Sequence, residues 1–247
     1  MNPVIVALDV PTANEAIAIA ETLRGTVGGF KIGKQLFTSE GPSIVRRLAE
    51  QGERVFLDLK YHDIPNTVAG AVVSAVVTGA WMVNVHAAGG RTMMMAAAEA
   101  AIAAAARLRR ERPLVIGVTV LTSMNDAALA EVGVQGSARE QVVRLAKLAQ
   151  DSGLDGVVAS PLEIQDIRAA CGDKFLIVTP GIRPSSQQGK DDQVRTLGPA
   201  EALEAGANYL VIGRPITAAP DPRAAAEEIA AALALRSPFS VLRSTSQ

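Results

Sequence analysis

The sequence predicts a (β/α)8 barrel. Three observations carry that prediction: eight short apolar runs, helical patterns with legible ends between them, and a chain of 247 residues, an ordinary length for one such barrel. The runs are VIVALDV (4–10), FKIGK (30–34), RVFLDLKY (54–61), MVNVHA (82–87), VIGVTVL (115–121), GVVAS (156–160), FLIVTP (175–180) and YLVIGR (209–214). Most are apolar almost throughout rather than alternating. Parallel strands covered by helices on their outer face require that pattern.

The intervening helices follow in order. Thr12 and Glu15 have capping-box spacing after the first run, and Gly25 stands where that helix should stop. Gly52 and Gly79 stand at helix stops ahead of the third and fourth runs. Ser137 with Glu140 opens a helix that Gly153 closes, and Ser160-Pro161 with Glu163 opens one that Gly172 closes. Gly206 stops the next, while Asp221-Pro222 opens the last with an N-cap and a proline at the first helical position. A doubly wound sheet is the rival fold, but no G-x-G-x-x-G follows the first run. The expected organisation is one catalytic barrel over residues 1–236 and a mobile tail over 237–247, since RSPFSVLRSTSQ after Leu235 has no periodic pattern. Two stretches depart from compact spacing: an irregular excursion over 122–137 and a long polar loop over 181–198, expected to act as a lid.

Composition removes several functional classes. With 24 Lys and Arg against 25 Asp and Glu, and 3% aromatics, the chain lacks the basic surface and stacking rings of a nucleic-acid binder. Cys171 is alone, so no internal disulfide forms, and no Cys/His grouping has zinc spacing. A reducing cytoplasm is the expected location. The N-terminus has no basic start and carries Asp9 in its first apolar run, unlike a signal peptide. Between Asp63 and Arg91 only His86 can carry charge. Thr78-Gly79-Ala80 breaks that span, so it reads as a buried helix and a buried strand rather than a membrane crossing.

Polar residues collect at the carboxyl ends of the runs, where barrels of this class place their active sites: Asp9, Lys31, Asp58, Lys60, His86, Thr122, Ser123, Ser160, Arg183 and Arg214. Charges inside apolar runs are costly unless paired, so Asp58 and Lys60 require either a structural ion pair or a chemical role. Two residues apart on one strand, they point the same way, with Asp63 at the following turn. A lysine flanked by carboxylates stays protonated and is suited to donate a proton. Gly213-Arg214 ends the eighth run where such barrels bind phosphate, and Arg183 and Gln193 on the long loop are within reach of the same group. His62 and His86 are too few for a histidine metal site, and His86 reads as a rim or core residue. Cys171 reads as a packed thiol, and Met93-Met94-Met95 and Trp81 as core or subunit contact.

Taken together, A-L-D at 7–9, F-K-I-G at 30–33, D-L-K-Y-H-D-I-P-N-T at 58–67, V-T-V-L-T-S at 118–123, P-G-I-R at 180–183, D-D-Q at 191–193 and I-G-R at 212–214 resemble the orotidine 5'-phosphate decarboxylase family. The resemblance runs from the first strand to the eighth. It implies a cofactor-independent, metal-free decarboxylation of orotidylate to uridylate in pyrimidine synthesis. It further implies that Lys60 protonates the pyrimidine carbon, with Asp58 near the departing carboxylate. Asp9 and Lys31 would bind ribose, Thr122 and Ser123 the base, and Arg183, Gln193, Gly213 and Arg214 the phosphate. Asp63 and Thr67 would reach into the partner's site in a homodimer. The alternatives are a magnesium-dependent sugar-phosphate decarboxylase or aldolase sharing D-x-K-x-x-D, and a noncatalytic nucleotide-binding barrel. The former uses an acidic residue on strand two, where this chain carries Lys31.

Overall fold

A computed structural model describes residues 2–182 and 197–235. Eight parallel strands close into one barrel in sequence order, β1 (Val4–Ala7), β2 (Gly29–Gly33), β3 (Val55–Tyr61), β4 (Met82–His86), β5 (Leu114–Val118), β6 (Gly156–Val158), β7 (Leu176–Thr179) and β8 (Tyr209–Ile212), with β8 pairing back onto β1. The fold is the predicted (β/α)8 barrel. Several ladders stop short of their apolar runs: β1 ends at Ala7, β5 at Val118, β6 at Val158 and β8 at Ile212. Past three of these ends a single backbone bond to the next strand still forms, from Leu8 N to Lys31 O, Thr119 N to Val158 O and Ala159 N to Val178 O.

Period-two geometry divides the apolar residues into two layers. Val6, Phe30, Ile32, Leu57, Val83, Val115, Ile177 and Leu210 face outward and pack under the helices. Ile5, Phe56, Met82, Ile116, Val178 and Val211 fill the barrel interior. Toward the strands' amino ends Trp81 and Tyr209 pack onto this inner cluster edge to face, their centroids 5.3 Å apart. The Arg54 guanidinium stands 5.4 Å from the Trp81 ring centre.

The outer ring is α1 (Ala13–Leu23), α2 (Lys34–Glu40), α3 (Ser43–Glu50), α4 (Pro65–Thr78), α5 (Gly90–Leu108), α6 (Asp126–Glu131), α7 (Ala138–Asp151), α8 (Ile164–Cys171), α9 (Pro199–Glu204), α10 (Arg214–Thr217) and α11 (Pro222–Leu235). Thr12 caps α1 by accepting from the Glu15 amide, and Ser137 and Glu140 form a reciprocal box at α7. The Asp221 carboxylate accepts from the Ala224 amide at the start of α11. Gly79 and Gly172 follow α4 and α8 at φ 87 and φ 77, conformations that would strain any residue with a Cβ.

Three expectations need correction. The excursion over 122–137 contains a helix, α6, because the Asn125 side chain accepts from Ala128 N at 2.9 Å and starts it. Ser160 and Glu163 cap a 3-10 turn, Pro161–Glu163, which then runs into α8. Helix α4 is half-buried: Val68, Val72, Ala75 and Val76 pack inward, while Val77 remains 41% exposed. Among the described residues no helix is long and apolar enough to cross a membrane. The proposed tail over 237–247 lies outside the described residues.

Candidate active site

The inward positions of β3 change from apolar to charged on approaching the mouth: Phe56, then Asp58, then Lys60. Lys60 Nζ donates to Asp58 Oδ1 at 2.6 Å. On the other side Lys31, from β2, stands 3.6 Å from Asp58 Oδ2 and 3.0 Å from Asp9 Oδ1. The result is an alternating row of charges, Asp9, Lys31, Asp58 and Lys60, across neighbouring strands. Gly33 makes room for it, since a Cβ there would lie 3.0 Å from Lys31 Nζ and 3.1 Å from Asp9 Oδ1.

The row becomes more deeply buried from its end to its centre. The Asp9 side chain is 60% exposed, those of Asp58 and Lys31 only 13% and 10%. Burial by itself pushes the Asp58 pKa up. The charges of Lys31 and Lys60, with hydrogen bonds from Lys60 and Asn84, outweigh it and hold the carboxyl below its ordinary value. Asp58 is therefore an anion held between two cations.

Lys60 does not sit on a regular strand. Its φ is 54, in the left-handed region that side chains with a Cβ avoid. The cause is a break in the ladder: Leu57 pairs with Val83, but the next partner of Val85 is Tyr61, so three residues of β3 face one residue of β4. That one residue is Asn84, wholly buried. Its Oδ1 accepts the Lys60 amide at 2.8 Å, and its Nδ2 donates to Asp58 Oδ1 at 2.7 Å. Sequence reasoning missed this function. The signal was a lone amide at two-residue spacing from His86 in an otherwise apolar strand.

The charged row forms one wall of a cavity of about 520 Å³ at the carboxyl ends of the strands. Ala7, Phe56, Val118, Val158 and Val211 supply apolar surface, and Thr122, Gly213 and Arg214 reach the opening. Gly213 precedes α10 and Arg214 is its first residue. Asp9, Lys31, Asp58, Lys60, Thr122, Gly213 and Arg214 are thus brought together. Other expected residues are not. Ser123 is exposed and outside the cavity lining, and Ser160 is fully buried in its cap. Asp63 and Thr67 are exposed and line no part of this cavity, and the Asp63 carboxylate accepts from the next amide, Ile64 N, at 2.6 Å. Arg183 and Gln193, and all but the ends of the proposed lid over 181–198, lie outside the described residues.

His86 closes β4 beside His62, their ring centroids 5.4 Å apart. Burial, reinforced by His62, Lys34 and Lys60 and opposed by Asp58, lowers the His86 pKa to about 4. The ring is a neutral rim group at neutral pH. Among the described residues no three His, Cys, Asp or Glu side chains converge as a metal site. Burial raises the Cys171 thiol above its ordinary pKa, as expected for a packed, inert group.

A model of the orotidine 5'-phosphate decarboxylase / HUMPS family matches residues 2–229. The chain is 55% identical over 231 residues to a protein of Moorella thermoacetica named orotidine 5'-phosphate decarboxylase, covering 93% of this chain and 91% of the other. It is 54% identical to the protein of the same name from Trichlorobacter lovleyi, over 92% and 93% of the two chains. The crystal structure of orotidine 5'-phosphate decarboxylase from Lactobacillus acidophilus superposes with a TM-score of 0.84 at 39% identity, covering 94% of this chain and 99% of that one.

Proposed function

The chain belongs to the orotidine 5'-phosphate decarboxylase / HUMPS family, and we infer that it converts orotidine 5'-phosphate to uridine 5'-phosphate and carbon dioxide with Lys60 as proton donor. The observation that carries this reading is the Asp58 carboxylate held between the Lys31 and Lys60 ammonium groups on one wall of a cavity whose other walls are largely apolar. The bond between the ring carbon and its carboxylate breaks, and the electron pair stays on the carbon in an in-plane orbital. The ring's π system does not delocalise that pair, so a covalent electron sink offers little. Lys60 passes one proton to the carbon, carbon dioxide departs, and Lys60 regains a proton from solvent. The step balances with no other reactant.

Catalysis by this route rests on charge arranged before the reaction starts. The carbanion develops beside the Lys60 ammonium, while Asp58 stands on the side of the departing carboxylate. The barrier reduction required lies toward or beyond the top of the usual range of about 8–23 kcal/mol. Binding energy from a remote phosphate is the natural supplement. Gly213 and Arg214, at the start of α10 and on the cavity rim, are suited to hold that dianion, Arg through its planar fork. Asp9 and Lys31 are assigned to the ribose, and Thr122, with Ser123 beside it, to the base.

The same reading makes the working form a cytoplasmic homodimer. Asp63 and Thr67 face solvent in the single chain, on either side of Ile64, itself 67% exposed. They precede and begin α4, a helix with no charged residue and one open face. Those features suit delivery of both side chains to a partner's cavity. The deciding experiment follows the ultraviolet change from orotidylate to uridylate in protein treated with a chelator. Undiminished turnover supports the reading; full dependence on added magnesium, or no turnover, overturns it.

A further inference from the structure

We infer that Asn84 is a positioning residue for the decarboxylation, clamping the Asp58 carboxylate and the Lys60 backbone in the one arrangement that aims Lys60 into the cavity. The inference rests on the functional reading above and extends it to a residue that does not line the cavity.

Where β3 holds three residues against one of β4, the Lys60 amide cannot take its place in a regular parallel ladder. A buried amide left without an acceptor is costly. The Asn84 side chain supplies that acceptor, Oδ1 at 2.8 Å, and so replaces a backbone partner with a side-chain one. This pins the left-handed turn at Lys60, φ 54, which would otherwise relax toward an ordinary strand.

The other end of the same amide donates to Asp58 Oδ1 at 2.7 Å, the oxygen that also accepts from Lys60 Nζ at 2.6 Å. Only one amide orientation satisfies both partners, because the reverse would set oxygen against carboxylate and NH2 against N–H. Asn84 is wholly buried and has no rotational freedom to spare. It therefore holds a catalytic carboxylate and a catalytic lysine at a fixed relation from a third strand. The groups facing Asp58 are Lys31 from β2, Lys60 on β3 and Asn84 on β4, with Asp9 beyond Lys31 and His86, neighboured by His62 and Lys34, further along β4.

Two variants test the assignment. Asn84→Ala should lower kcat for orotidylate by about 10- to 100-fold, the scale of losing a hydrogen bond to a charged group, with KM changing far less. It should also move the acid limb of the pH profile upward, because Asp58 loses a donor that favours its ionised form. Asn84→Asp keeps size and the acceptor for the Lys60 amide but sets a second carboxylate against Asp58. Its activity should be low at neutral pH and recover in part as the pH falls, when the new carboxyl is protonated and can donate. A role in folding alone predicts no such recovery. The Asp58 carboxyl titration, followed by 13C NMR with Asp58→Asn for assignment, gives a readout independent of turnover. If the parent protein fails to turn over orotidylate the functional reading falls, whereas the Asp58 midpoint still reports on the clamp. An unchanged kcat and Asp58 midpoint in Asn84→Ala, or no low-pH recovery in Asn84→Asp for any reason including misfolding, overturns the inference.

Discussion

Lys60 Nζ lies 2.6 Å from the carboxylate of Asp58, two positions earlier on the same strand, and reaches it from a left-handed backbone. The contact joins an interaction that neutralises charge to a conformation that costs energy. Substitution at Lys60 separates the two.

Lys60→Ala should reduce kcat/KM for orotidylate by about 10⁴-fold or more, the upper end expected for a positioned proton donor. Lys60→Gly should be equally inactive yet more stable than Lys60→Ala by about 1 kcal/mol, reversing the usual order in a strand, because glycine accepts φ 54 without strain. Urea unfolding of the two variants measures the difference. Equal stabilities would mean that the turn at Lys60 relaxes in the absence of its side chain.

Mixing Lys60→Ala and Asp63→Ala subunits should restore activity above that of either variant. If Asp63 serves the partner's cavity, a hybrid dimer has one site with both defects and one intact. The yield follows from counting: with equal mixing about half the dimers are hybrids, each with one working site, so about a quarter of the parent activity returns. No recovery, with subunit exchange demonstrated by mass labelling, would confine the site to one chain.

Arg214→Ala should cost about 2–5 kcal/mol of transition-state stabilisation for orotidylate, the scale of removing one partner of a desolvated charge pair. The slow reaction of the nucleoside orotidine should be almost unaffected, since it has no phosphate. Equal losses on both substrates would assign Arg214 to the fold or the ring site.

His86 should make stability depend on pH. Its folded pKa, about 4, lies below the ordinary 6.5. Between those values the unfolded chain binds a proton that the folded one does not, so stability falls as the pH falls through that window. His86→Asn should remove that component, on the order of 1–2 kcal/mol after allowance for solvent screening of a half-buried ring. Chemical denaturation at pH 7 and pH 4.5 reads the change in slope.

The barrel was legible because its rules are local. Eight apolar runs become eight strands, and Thr12, Ser137 and Asp221 cap where side-chain spacing says they should. The site was legible in part: Asp9, Lys31, Asp58, Lys60, Thr122, Gly213 and Arg214 meet at one cavity. The bulge was not. Asp58, Leu59, Lys60 and Tyr61 read as regular alternation, and the extra residues appear only in how β3 pairs with β4, which depends on both strands at once. The role of Asn84 was not legible for the same reason, since its partners come from another strand. Helix α6 was missed because its six residues are too few for an apolar period to emerge.

The inner cluster of Ile5, Phe56, Met82, Ile116, Val178 and Val211, overlain toward the amino ends by Trp81 and Tyr209, has a bearing on traffic. Among the described residues that filled layer lies beneath the cavity, which opens at the carboxyl ends of the strands. The packed inner cluster closes the floor, so carbon dioxide leaves on the side by which the substrate came in. Gas and nucleotide then share one route, past the residues Thr122 and Arg214 that line the cavity toward its mouth.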